Sequence, residues 1–411
     1  MTRLRLRPVL YLLLLNVIGF ALLFLFKIPH DTTILYAGII ICSVNIGVYC
    51  LMYFLDLGDA YLFLMVSILV SIGSIMLMRL DTEYGFSQVI WFCVGIIVFF
   101  GAYMALRLFR FWDKLSLFYM AVSIGLFVLT LVFGSTEKGA RNWIRIGSRS
   151  IQPSEFIKIS YLFVLACYFS MKQGKIELLN RKFWGIPVKD IVLNAFVYLC
   201  LGFLVLQKEW GTAVLFFLVF YAMMLLYNTH WKLLIANALF AVLGGVGGYF
   251  LTDHIQVRVA TWLDPWADAS NRGFQITQSL FAITNGGYFG TGIGNGNPYF
   301  IPEVHSDFIF SAICEEMGIF TGIAIIMIYF IFSYRGFKIA MNAKNEFLKA
   351  LTLGLTISFA FQTFIIVGGV IKLIPLTGIT LPFVSYGGSS MVSCFIMLGL
   401  LTAVSYLERR R

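Results

Sequence analysis

The chain has 411 residues, of which 60% are hydrophobic and only 12% charged, so apolar runs fill it from end to end and leave no room for a separate soluble domain. Its formal charge of +10 is spread rather than gathered: with the N-terminus inside, 19 of the 30 Lys and Arg residues fall on cytoplasmic segments and 10 outside, with Lys158 in a span. That is the positive-inside pattern of an N-in, C-in membrane protein, and it argues against nucleic acid as a partner.

The predicted fold class is an all-α polytopic membrane protein. Twelve segments can cross a ~30 Å hydrocarbon core: about 8–26, 33–55, 60–79, 88–107, 115–133, 154–171, 190–206, 211–227, 231–251, 306–333, 347–370 and 384–407. The first reads as a span rather than a cleaved signal peptide, since it lacks a small-residue cleavage site and a second hydrophobic run follows closely. The seven cysteines all fall inside spans without a CxxC pair, which marks them as small core residues. His30, His230, His254 and His305 are scattered singly, so no protein-only zinc site is visible.

Two outer loops are long, about 134–153 and about 252–305. The first holds Glu137 against Lys138, Arg141, Arg145 and Arg149; the second holds Asp253, Asp264, Asp268 and Glu303 against Arg258 and Arg272. One offers cations to an anionic group and the other offers carboxylates, unless both are merely solvated. The second also contains "NGGYFGTGIGNGNP", which lacks the Gly-Lys-Ser/Thr ending of a phosphate loop and reads as a compact re-entrant or surface loop. "GGVGG" at 244–248 lies inside a span and is expected to mark close helix packing or a bend.

Ionisable groups at the centre of a span cost at least ~2.5 to 3.5 kcal/mol each, so each calls for a reason. In "QPSEFIK" Pro153 suits a first helical turn, and Glu155 and Lys158 share a face where they can pair. Either a structural ion pair or a cavity-lining pair, with Lys158 near an anionic group, fits that spacing. Glu209, in the tight turn "LQKEWGTA", reads first as an anchoring or capping group and second as a catalytic one. In "IPEVHSDFIF" a tenth helix starting near Ser306 would put Asp307 in its first turn, where the helix dipole favours a carboxylate. Farther along, Glu315 shares at most a broad face with Asp307, and Glu316 must serve another helix contact.

Five stretches, "GARNWIRIGSRSIQPSEFIK", "LQKEWGTA", "RVATWLDPWADASNRGFQITQSLFAITNGGYFGTGIGNG", "IPEVHSDFIFSAICEEMG" and "PLTGITLPFVSYGGSS", occur in the order seen in the SEDS family. The chain resembles these shape, elongation, division and sporulation proteins, typified by FtsW, RodA and SpoVE, over about residues 60 to 407. The resemblance implies a ten-helix core at 60–411 preceded by a two-helix extension at 1–59. It also implies a peptidoglycan glycosyltransferase of the bacterial cytoplasmic membrane that polymerises lipid II on the outer face, beside a class B penicillin-binding transpeptidase and other elongation or division machinery. Asp307 aligns with the family's essential acid, Glu155 and Lys158 with its important Glu and Lys, and Trp143 and the run Ser385 to Ser390 with its cavity-lining motifs. Arg141, Arg258, Glu209, His305, Ser385 and Ser389 join Glu155, Lys158 and Trp143 as expected substrate-binding residues. Where the family commonly reads Gln-Pro-Asp-x-Gly-Thr-Ala this chain has Lys208 and Glu209, and Ser87 stands where Arg is frequent.

The chemistry so implied needs a base and a cation. Asp307 is expected to deprotonate the acceptor hydroxyl, while Lys158, the basic first loop and a divalent ion, Mg2+ or Mn2+ with unknown ligands, neutralise the pyrophosphate. A lipid II flippase would use the same cavity without chemistry, and a scaffold of the cell-wall machinery would need neither cavity nor Asp307.

Overall fold

Because no water reaches the backbone inside hydrocarbon, each apolar run closes its own hydrogen bonds as a helix. The computed structural model describes residues 6–26, 31–137, 140–147, 149–171, 182–183 and 186–409. His30, Lys138, Ser148 and most of the predicted cytoplasmic segment 172–189 lie outside those residues. Along the described chain run α1 (Leu6–Phe26), α2 (Thr32–Phe54), α3 (Ala60–Leu80), α4 (Thr82–Leu108), α5 (Ser116–Phe133), α6 (Pro153–Ser170), α7 (Val188–Leu206), α8 (Trp210–Leu226), α9 (Trp231–Leu251), α10 (Asp253–Leu263), α11 (Phe274–Gly286), α12 (Ile309–Met317), α13 (Ile319–Asn342), α14 (Glu346–Val370) and α15 (Gly388–Arg409). Ten of these are long and apolar enough to cross a membrane. Of the twelve predicted spans, α6 falls short because its first turns carry Glu155 and Lys158, and α8 because it has only 17 residues.

The chain divides into two compact units. The first comprises residues 1–107, 258–335 and 362–411. Its centre is α3, which Asp59 starts by accepting the Tyr61 N–H at 3.1 Å. Asp59 also receives two Arg335 donors at 2.9 and 2.8 Å, and its own N–H goes to Ser405 Oγ at 2.8 Å. The predicted N-terminal extension packs here, α1 and α2 forming a hairpin against α3, with α12 and α15 also on α3. The second unit comprises residues 108–257 and 336–361. In it α5 lies along α6 and α7 along α8, and Tyr161 ties α6 to α8 by donating to Phe216 O at 3.0 Å.

Four expectations need correction. The predicted span 306–333 is two helices, because Gly318 at φ 83° ends α12 and α13 carries the crossing. The first outer loop is a small antiparallel sheet, β1 (Ser135–Glu137), β2 (Ala140–Ile146) and β3 (Arg149–Ile151), and the second contains α10 and α11. The last span begins only at Gly388, after a non-helical segment from 371. "GGVGG" neither breaks α9 nor packs it closely along its length: a side-chain carbon at Gly244, Gly245 or Gly247 would meet nothing within 4 Å, and only at Gly248 would it meet the Trp210 ring, at 2.9 Å.

Candidate active site

Asp307 stands in a turn before α12, not in the first turn of a membrane helix. Glu303 adopts φ 55°, and its carbonyl accepts the N–H groups of Ser306, Asp307 and Phe308 at 3.1, 3.1 and 3.4 Å. A left-handed backbone in a non-glycine residue costs about 1 to 3 kcal/mol and persists only when its surroundings hold it. They do so on one side through the Ser385 region. Ser385 Oγ donates to Ser306 O at 2.5 Å and accepts the Leu381 N–H at 2.9 Å, while the Tyr386 N–H donates to His305 O at 2.9 Å. Gln88 in α4 donates to Ser385 O at 3.0 Å. Ser385, one of the expected substrate-binding residues, is buried and braces the Asp307 turn. Ser389 is buried in the first turn of α15.

Facing this turn is Arg258 from α10, which donates to Leu376 O at 2.9 Å. A side-chain carbon placed at Gly378 would lie 3.5 Å from Asp307 Oδ2 and 3.5 Å from Arg258 Nη2. The absence of that carbon leaves a small gap bordered by an acid and a guanidinium. Burial pulls the Arg258 guanidinium down from its ordinary value and Asp307 pulls it back up, so the two charges support each other. The His305 ring stacks on Tyr84 with centroids 4.8 Å apart, and its Nε2 is 3.9 Å from Glu303 Oε2.

The second unit holds the other expected residues. Lys158 Nζ and Glu155 Oε2 are 2.8 Å apart, with side chains only 4% and 13% exposed, so the local spacing alone foretold this pair. Gln152, at the start of α6, donates to Glu209 Oε1 at 3.0 Å. Burial pushes the Glu209 carboxyl up, Gln152, Ser154 and Asn142 offset this in part, and Glu155 adds to it. Trp143 lies half-buried in β2 opposite Ser135. Arg141 donates to Gly134 O at 3.0 Å and Val132 O at 3.2 Å, which caps the carbonyl end of α5.

The structure thus groups Asp307, Arg258, His305 and Ser385 in the first unit and Glu155, Lys158 and Glu209 in the second. Tyr84 and Gly378 were missed: Tyr84 is one aromatic among many at a helix start, and only its stacking sets it apart. For the expected divalent ion, the described residues contain no convergence of three or more His, Cys, Asp or Glu side chains. Asp307, the acid at the gap, already faces a guanidinium, a poor setting for a resident cation. The described donors therefore do not fit a protein-built metal cage, and no step below passes through one.

The FtsW/RodA/SpoVE family model, described as a cell cycle protein, matches residues 48–410. Among curated proteins, peptidoglycan glycosyltransferase RodA of Mycobacterium tuberculosis is 35% identical over 372 residues, covering 86% of this chain and 79% of the relative. Stage V sporulation protein E of Bacillus subtilis is 33% identical over 368 residues, covering 85% and 98%. Among solved structures, a chain of a peptidoglycan synthase complex that coordinates polymerization and crosslinking matches with TM-score 0.69 and 23% identity, covering 86% of this chain and 99% of that one. The rod shape determining protein RodA of Thermus thermophilus matches with TM-score 0.61 and 24% identity, covering 85% and 96%.

Proposed function

We propose, from the premise that this chain belongs to the FtsW, RodA and SpoVE family, that it is a peptidoglycan glycosyltransferase of the bacterial cytoplasmic membrane. It polymerises lipid II into glycan and releases undecaprenyl pyrophosphate. The observation that carries the mechanism is the Asp307 carboxylate on a braced turn, facing Arg258 across the gap at Gly378. A sugar hydroxyl is a poor nucleophile until a positioned base takes its proton. Asp307 takes the proton of the acceptor GlcNAc 4-hydroxyl as that oxygen attacks the donor's anomeric carbon, with the Arg258 guanidinium beside it. The bond to the pyrophosphate oxygen breaks as the new glycosidic bond forms, so one displacement turns an α-linked donor into a β-linked product. The family resemblance supports a substrate-binding role for Lys158, which Glu155 holds at 2.8 Å. Charge asymmetry supports placing the reaction on the outer face. The family resemblance supports a class B penicillin-binding transpeptidase as partner within the elongation or division machinery.

Purified protein supplied with lipid II tests this against a flippase or a scaffold, since only the polymerase makes glycan. Asp307→Asn keeps the shape of the side chain and removes the proton acceptor. Base catalysis is worth about 10² to 10⁴ in rate, so glycan synthesis is expected to fall by that order while lipid II binding and thermal stability stay near wild type. Glu303→Gln and His305→Gln should slow it less. A folded Asp307→Asn protein that works at more than about a tenth of the normal rate ends the assignment.

A further inference from the structure

The glycine-rich loop after α11 closes on two carboxylates that the reaction does not use. The loop wraps the end of α12 so tightly that a side chain at Gly290 would collide with Glu316 O, and one at Gly318 with Tyr288 O. Thr291 and Gly292 donate their N–H groups to the carbonyls of Glu315 and Glu316, at 2.9 and 3.0 Å. The two side chains reach back into the loop, where Glu316 Oε2 accepts the Gly294 N–H and Glu315 Oε1 the Asn297 N–H, each at 3.0 Å. The loop's N–H groups, which could have cradled an anion, are taken by the chain's own carboxylates. Both residues are buried, 5% and 1% exposed.

Arg79, in the last turn of α3, locks this arrangement. Its Nε lies 3.1 Å from Glu316 Oε1, its Nη2 donates to Gly294 O at 3.0 Å and Gly296 O at 3.3 Å, and its Nη1 donates to Tyr299 OH at 2.7 Å. Tyr299 OH donates in turn to Arg79 O at 3.0 Å. At Gly296 a side-chain carbon would come within 2.7 Å of Glu316 Cγ and 3.3 Å of the Glu315 carboxyl carbon, so the clamp admits no side chain there. Buried ionic groups add little net stability over apolar residues of the same volume, and their best-attested use is to specify one arrangement. The segment arranged here runs directly through Pro298 and Pro302 into the left-handed turn at Glu303 and then Asp307. Its far side is braced by Ser385 and Tyr386; its near side is braced by this clamp.

We propose that Arg79, Glu315 and Glu316 are positioning residues for Asp307: by fixing the glycine loop they hold the strained Glu303 turn, and with it the carboxylate, in the one geometry the reaction uses. The inference rests on Asp307 being the base. Arg79→Lys keeps the charge but cannot supply the forked donors; Glu315→Leu removes the acceptor for Asn297, and Glu315→Gln retains it. Displacing a reacting group by about 1 Å costs on the order of 10²-fold. Arg79→Lys and Glu315→Leu, assayed as the full chain in the same preparation as wild type, are therefore expected to lower kcat about 10- to 100-fold with KM for lipid II unchanged. Hydrogen exchange should quicken only over 291–307, and Glu315→Gln should behave as wild type. Two results overturn the proposal. One is wild-type kcat in both disruptive variants, which severs the clamp from Asp307. The other is faster exchange throughout the chain with falling thermal stability, which leaves the clamp a purely folding role. Asp307→Asn run in parallel separates the two readings: if it stays active, the base assignment falls and this proposal with it, whereas an inactive Asp307→Asn beside fully active clamp variants overturns the clamp alone.

Discussion

A methyl group at Gly378 would touch both Asp307 Oδ2 and Arg258 Nη2, 3.5 Å from each, on a backbone at φ 71° that L side chains rarely adopt. Gly378→Ala is therefore expected to cut polymerisation sharply with every charge still in place; wild-type glycan synthesis by this variant would show that the acceptor does not use the gap. Glu209 makes a different kind of prediction. Burial is the largest cause of its raised carboxyl, so the folded chain keeps a proton that the unfolded chain releases near pH ~4.3. Below that value the contribution is fully present; as pH rises through the higher folded value the native state binds more protons than the unfolded one, and stability is lost. Glu209→Gln keeps an acceptor for Gln152 and cannot ionise. Its thermal midpoint relative to wild type should therefore rise between about pH 4 and 8, and a constant difference across that range would refute the linkage.

The first turns of α6 show how much one helix can carry from its own sequence. Pro153 opens it, and Glu155 and Lys158, three apart on one helix face, meet at 2.8 Å. Removing one member of a fully buried pair costs about 3 to 5 kcal/mol, because the other is left uncompensated; with Lys158 buried and the Glu155 side chain 13% exposed, the cost here is smaller but of the same sign. Lys158→Ala should therefore lose both stability and activity, while the double variant Glu155→Gln, Lys158→Met should regain thermal stability and remain inactive. Normal polymerisation by the double variant would make the pair structural only. Neighbouring elements were less legible. The strands of residues 135–151 are too short and too charged for a period-2 pattern, and Gly318 looks in sequence like any other membrane-helix glycine.

At the scale of the molecule, α13 runs from the loop that carries the glycine clamp to the turn at 343–345, so residues at its two ends report opposite faces. With native cysteines removed, Asn297→Cys is expected to react with an impermeant thiol reagent added outside intact cells, and Lys344→Cys is not. The reverse labelling would invert the N-in, C-in topology and take Asp307 away from the face where lipid II is consumed. The two N-terminal helices also belong to this scale. They precede most of the family match at 48–410, yet they pack on α3 within the first unit rather than standing apart.

What the sequence by itself determined were the constraints that act within one segment. Hydrocarbon demands ~20 apolar residues per crossing and internally closed hydrogen bonds, so twelve crossings were expected from composition and length, and ten described helices meet that length and apolarity. The Glu155–Lys158 pair was readable because helical spacing alone brings it together. Tertiary structure decided what depends on residues far apart in the chain: Arg258 beside Asp307 at the Gly378 gap, Ser385 behind Ser306, and Arg79 against Glu316. No periodicity reports such meetings. A buried charge announces in sequence that it needs a partner, but which partner it finds is settled only when the helices pack.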